Sequence, residues 1–267
     1  MTDHDLAALR ALAVELASEG AELALRRQRD GVEVAATKSS AVDVVTAADR
    51  EVEAFIRGRL ATARPDDAFL GEESDASGGT SGLTWVIDPI DGTVNYLYGQ
   101  PRWAVSVAVV DGGDPGSWTA LAGCVVSPAL GETFAAALGM GAMRNGERIR
   151  ATTADALATS LVATGFAYDA ATRVRQAAAA ARIIGSVRDL RRAGAASVDL
   201  CDVAAGRLDA YWERGLSPWD FAAGALIAEE AAAIVTRADV RDGARLVTAA
   251  APGIAAAFAE LIGEAGA

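Results

Sequence analysis

An apolar run, Thr84-Trp85-Val86-Ile87, ends in Asp88-Pro89-Ile90-Asp91-Gly92-Thr93, placing two carboxylates three residues apart with Gly-Thr directly behind them. The apolar residues suit a buried strand, and Gly92-Thr93 suits a sharp exit into a turn or short helix. Two acidic side chains at the mouth of a strand repel each other at neutral pH. A divalent cation is the simplest way to stabilise such a pair, and hard oxygen ligands suit Mg²⁺. The turn that follows aims backbone N–H groups at an anion bound beside the metal. Carboxylates, metal and amide donors on one edge point to phosphate chemistry.

Three further segments supply acids in comparable settings. Gly71-Glu72-Glu73-Ser74 follows the short apolar strand around Phe69-Leu70. Ser217-Pro218-Trp219-Asp220 puts an acid in the first turn of a helix, where an N-terminal carboxylate is also a common stabiliser. Val42 to Asp49 ends in a carboxylate that enters another helix. The chain holds one histidine, His4, near its N-terminus. Ser-His-Asp hydrolysis, Cys-His proteolysis, phosphohistidine chemistry and His-ligated zinc are therefore excluded as leading readings.

The elements that must position these acids follow from periodicity. Apolar spacing predicts an amphipathic helix from about Asp5 to Arg29 and a second from about Asp49 to Leu60. Strands are expected at Trp85–Ile87, Trp103–Val110, Leu121–Val126 and Thr133–Leu138, separated by Gly/Pro turns as in an antiparallel sheet. After the turn signal Asn145-Gly146, short strands at Ser160–Thr164, Leu208–Trp212, Ile234–Thr236 and Leu246–Ala249 alternate with helical segments near 171–183, 195–206, 219–232 and 253–263. That alternation is the mark of an α/β half. The expected organisation is one domain over residues 1–267, divided near residue 150 into an α+β part with the metal site and an α/β part with the substrate side.

With 267 residues, 52% of them hydrophobic, the chain can bury a full core. Its net charge of −12 argues against a nucleic-acid or anionic-membrane surface. No apolar run approaches the roughly 18 residues needed to span a bilayer. The N-terminus lacks the pattern of a signal peptide, and two cysteines are too few for a disulfide framework. A cytoplasmic location is expected.

Taken together, Gly71-Glu72-Glu73, Trp85-Val86-Ile87-Asp88-Pro89-Ile90-Asp91-Gly92-Thr93 and Trp219-Asp220 resemble the signatures of the inositol monophosphatase family, Mg²⁺-dependent, lithium-sensitive sugar phosphatases. The resemblance runs from Lys38 to the final helix. It implies a layered αβαβα sandwich with an antiparallel N-terminal sheet half and a C-terminal α/β half. It also implies that Glu72, Asp88 and the backbone carbonyl of Ile90 bind one Mg²⁺, and that Asp88, Asp91 and Asp220 bind a second. Two or three ions are expected. Thr93 and Asp49 would pair and, with Glu72, position and deprotonate the attacking water. The N–H groups of Gly92 and Thr93 would hold phosphate oxygens, with Lys38 a cation on that side. Gly194, Ala195, Ala196 and Glu213 match positions that contact the polyol. The implied partners are a small phosphorylated polyol and a second copy in a homodimer.

One departure from relatives is Ala195, where a hydroxyl residue is frequent; Gly194-Ala195-Ala196-Ser197 loses any side-chain hydrogen bond at that position. Tyr168, in Gly165-Phe166-Ala167-Tyr168-Asp169, either lines the pocket or packs. Two look-alike motifs fail on context. The haloacid-dehalogenase signature has one residue between its aspartates, whereas Asp88 and Asp91 have two. Cys201 to Arg207 has the cysteine-phosphatase spacing but reads as an apolar helix, and a lone cysteine there is a small buried hydrophobe. The substrate reading is myo-inositol monophosphate. Histidinol phosphate, fructose 1,6-bisphosphate and 3′-phosphoadenosine 5′-phosphate stand as alternatives, and a regulatory binding protein with a vestigial site is an alternative of another class.

Overall fold

The computed structural model describes residues 4–31, 34–37, 44–239 and 245–267. Lys38 lies outside them. Asp5 accepts a hydrogen bond from the Ala8 amide at 3.0 Å and caps helix α1 (Leu6–Asp30), which buries the stripe Leu9, Ala13, Leu16, Ala17, Ala21 and Ala24. Strands β1 (Val34–Thr37) and β2 (Val44–Thr46) pair antiparallel and lead into α2 (Ala47–Ala63).

A seven-stranded sheet follows in chain order: β3 (Ala68–Gly71), β4 (Leu83–Asp91), β5 (Ala104–Asp111), β6 (Thr119–Ser127), β7 (Glu132–Ala137), β8 (Ala142–Arg144) and β9 (Glu147–Arg148). Helix α3 (Thr93–Leu97) sits between β4 and β5. Strands β4 to β9 pair antiparallel, as expected, while the edge strand β3 joins β4 in parallel. Asn145-Gly146 forms the β8–β9 turn, with φ of 50° and 83°.

The second half contains β10 (Leu161–Thr164), α4 (Ala170–Ile183), β11 (Asp189–Arg191), α5 (Ala196–Ala204), β12 (Ala210–Arg214), α6 (Pro218–Glu230), β13 (Ile234–Asp239), β14 (Arg245–Ala250) and α7 (Ala255–Ala265). Its sheet runs β11-β10-β12-β14-β13, parallel around β10 and antiparallel beyond β12. Strand β11 is too short and exposed to leave an apolar signal in the sequence.

Side-chain alternation separates the layers. On β4, Trp85 and Ile87 pack under α1 and α2, whereas Val86 faces α5 and α6. The same α5–α6 layer meets Ala163, Tyr211, Val247 and Ala249 of the second sheet, whose other face buries Val162, Ala210 and Trp212 under α4 and α7. The order is therefore α1α2, sheet, α5α6, sheet, α4α7, the expected αβαβα sandwich. Burying Val86 and Ile87 contributes about 1.5–3 kcal/mol each. That anchors the strand whose far end carries two buried acids.

Candidate active site

Four acids from three elements converge on one cavity of about 460 Å³: Glu72 after β3, Asp88 and Asp91 at the end of β4, and Asp220 in the first turn of α6. Short-range bonds fix Asp88 and Asp220, while the segment carrying Glu72 is held by a bond from α2 and Asp91 by bonds from α5. The turn after β3 is pinned by the Glu53 carboxylate, which accepts from the Glu73 amide at 2.8 Å. Asp88 Oδ1 accepts from the Ile90 amide at 3.0 Å. Asp220 Oδ2 accepts from the Ser217 amide at 2.6 Å in a capping box, with Pro218 entering the helix. The strand then turns at Gly92, whose φ of 88° suits glycine, and α3 begins at Thr93. The first N–H groups of a helix lack intrahelical partners, and Gly92 and Thr93 line the cavity.

Electrostatics mark the cluster as charge-deficient in cations. Burial, reinforced by Glu72, Asp91 and Asp220, holds the Asp88 carboxyl well above the usual carboxylate range. Burial, with Glu72 and Asp91, does the same to Asp220. Asp91 is pushed up to about 6 by burial, against donors from Ser197 and Ala196. Among the described residues, no three acids stand close enough as placed to enclose an ion. The donor set nevertheless fits a hard divalent cation in type: carboxylate oxygens, plus the Ile90 carbonyl on the same wall, with like charges that repel until one is bound.

Beside the acids, Thr93 Oγ lies 3.1 Å from the Ile90 carbonyl and 3.3 Å from Asp49 Oδ1. Asp49 is buried and is not on the cavity wall. It is held at the start of α2 by the Thr46 amide, at 2.8 Å, and by the Thr46 hydroxyl, and burial raises it to about 6.

Glu213 on β12 also lines the cavity; it is half-buried, and desolvation raises its carboxyl to about 7, which the Tyr211 hydroxyl and Arg192 oppose. The Tyr211 hydroxyl donates to Glu213 Oε2 at 2.7 Å. Gly194, Ala196, Tyr168 and Arg192 complete this side. Tyr168 thus lines the pocket. Ala195 stands apart from the expectation: it is buried, and its Cβ abuts Gly92 rather than the cavity. Cys201 is fully buried, and burial raises its thiol well above the ordinary value.

Sequence reasoning missed three contributors. Ser197 donates to Asp91, Tyr211 holds Glu213, and Asn95 Nδ2 ties the turn after β4 to the carbonyls of Arg102 and Ala193, at 2.6 and 2.9 Å.

The sequence model of the inositol monophosphatase family matches residues 5–265. The chain belongs to that family. It is 43% identical over 273 residues to the inositol-1-monophosphatase SuhB of Mycobacterium tuberculosis, spanning 95% of this chain and 92% of that protein. Identity to the inositol-1-monophosphatase of Mycobacterium leprae is 45% over 281 residues, with 96% and 94% covered. A relative from Pseudomonas aeruginosa that bears the name Nus factor SuhB is 38% identical over 236 residues, with 84% and 83% covered. Among solved structures, Mycobacterium tuberculosis SuhB superposes with a TM-score of 0.83 at 41% identity, covering 98% of both chains. The suhB protein of Bartonella henselae gives 0.86 at 32% identity, covering 96% and 98%. As a member of this family the chain is a phosphoric monoester hydrolase. No helix among the described residues is long and apolar enough to cross a membrane.

Proposed function

We propose that the protein hydrolyses myo-inositol monophosphate in the cytosol with Mg²⁺ at the Glu72, Asp88, Ile90, Asp91 and Asp220 positions. One observation carries the reading. The four mutually repelling acids and the Gly92-Thr93 turn share one cavity of about 460 Å³ with Glu213, a carboxylate able to accept from hydroxyl groups. Bound Mg²⁺ supplies Lewis-acid stabilisation of the phosphoryl charge and of the attacking and leaving oxygens.

The chain's own groups do the rest. Thr93 Oγ has one hydrogen and two acceptors, and Ile90's carbonyl is one of the proposed ligand positions. A cation on that carbonyl would draw electron density from it and repel the hydroxyl hydrogen, which favours the Asp49 carboxylate as the acceptor for Thr93. Thr93 then turns a lone pair to the attacking water, and Glu72 takes its proton as the water oxygen attacks phosphorus and the ester P–O bond breaks. Gly92 and Thr93 amides hold phosphate oxygens, while Glu213, Gly194 and Ala196 hold the ring. The shared core of the two sheets around α5 and α6 supports a single domain, and the family resemblance supports a homodimer.

The name of the Pseudomonas relative supplies a second reading, a regulatory protein with an idle site. Retention of every acid at the cavity favours catalysis. Phosphate release from inositol monophosphate, histidinol phosphate, fructose 1,6-bisphosphate and 3′-phosphoadenosine 5′-phosphate, with and without Mg²⁺, tests both. Preference for another ester overturns the substrate, and absence of turnover overturns the enzymatic reading of the site.

A further inference from the structure

Helix α5 begins without a side-chain cap of its own, because Ala195 at its N-cap has no polar group. The cap comes from another layer. Asp91, at the end of β4, accepts from the first two helical amides: Ala196 N–H reaches Oδ1 at 3.1 Å and Ser197 N–H reaches Oδ2 at 2.7 Å. The Ser197 hydroxyl adds a second bond to Oδ2 at 2.5 Å. Ser197 and Asp91 are both buried.

An ionised carboxylate offers about four lone-pair sites, two on each oxygen. Oδ2 uses both of its sites on Ser197, and Oδ1 uses one on Ala196. One site is left, on Oδ1. We propose that Ser197 is a positioning residue that restricts Asp91 to single-oxygen ligation and thereby biases the site toward a small cation. The proposal rests on Asp91 being a metal ligand, as argued above.

The physical reason is the difference between the two common divalent ions. Mg²⁺ demands near-octahedral geometry at short distances, whereas Ca²⁺ takes six to eight oxygens and accepts carboxylates through both. A carboxylate whose second oxygen is saturated suits the first ion and penalises the second. Removing the hydroxyl returns one lone pair to Oδ2 and loosens the carboxylate's orientation, leaving the two amide bonds in place.

Isothermal titration calorimetry of the full chain with Mg²⁺ alone and with Ca²⁺ alone tests this. In Ser197→Ala, Mg²⁺ affinity should fall about tenfold, the lower end of the effect of deleting a partner behind a metal ligand. Ca²⁺ affinity should hold or rise, so the Mg²⁺/Ca²⁺ ratio falls by at least that factor. Ser197→Thr keeps the hydroxyl and should keep the wild-type ratio. Equal loss for both ions, or no change for either, overturns the proposal. Asp91→Asn serves as the separate control. If it leaves Mg²⁺ affinity intact, the assignment of Asp91 as a ligand is itself wrong. If it abolishes binding while Ser197→Ala does nothing, only the role of Ser197 is lost.

Discussion

The Glu213 carboxylate occupies the volume that a side chain at Gly165 would fill. A Cβ built at residue 165 would stand 1.8 Å from Glu213 Oε2 and 2.1 Å from its Cδ, so the polyol-side acid and the end of β10 exclude each other unless residue 165 is glycine.

Gly165→Ala should therefore displace Glu213 and reproduce the phenotype of Glu213→Gln. Losing a charged acceptor for ring hydroxyls costs about 1.5–3 kcal/mol, seen as a raised KM for inositol monophosphate. Cleavage of p-nitrophenyl phosphate, which lacks those hydroxyls, should be nearly unchanged in both variants. Steady-state kinetics on the two esters checks this. Equal loss on both would place Glu213 among the groups that act on phosphorus.

Thr93→Val should lower kcat by about 10²-fold, the scale of misplacing the attacking water. Thr93→Ser should retain most of the rate. Asp49→Asn should also lower kcat, but it alters the capping box of α2 as well, since Thr46 donates to the same carboxylate. A cap of this kind is worth about 1 kcal/mol. Chemical denaturation should therefore show a small stability loss in Asp49→Asn that Thr93→Val lacks.

Without Mg²⁺ the protein should lose stability as pH rises. Asp91, raised to about 6, and Asp88 and Asp220, both held well above the usual carboxylate range, bind protons in the folded state that they would release unfolded from about 3.8 upward. Where the native state holds more protons, ∂ΔG/∂pH is negative, so the melting temperature in EDTA should fall as pH rises from about 4 through about 6, the interval between the unfolded and folded values of Asp91. Saturating Mg²⁺ should flatten that slope and raise Tm; an ion at 100 times its Kd stabilises by about 2.7 kcal/mol. A flat EDTA profile would show that the acids do not repel as placed.

Cys201→Ala should keep turnover, and iodoacetamide should leave the native enzyme active, because the thiol is buried and held protonated. Alkylation of one thiol accompanied by loss of activity would contradict this.

Local chemistry made much of this protein readable from its sequence. The Asp88-to-Thr93 segment combines an apolar strand, two acids and a glycine turn within a few residues, so strand, turn and charge are all encoded by neighbours. Asp220 likewise carries its own address, since Ser217, Pro218 and Asp220 form a helix start by short-range bonds. The helices α1 and α2 announce themselves by apolar spacing, and the later helices by their alternation with short strands. The tertiary structure alone decided what lies between distant segments. Ser197 meets Asp91 across 106 residues, and Glu213 needs a glycine 48 positions earlier (213 − 165). Ala195 is buried behind Gly92, and the cavity lining takes its neighbours Gly194 and Ala196. Such pairings leave no periodic trace, because they depend on which faces of the two sheets enclose α5 and α6. A hydrogen bond or a steric exclusion between residues far apart in the chain exists only once those layers have closed.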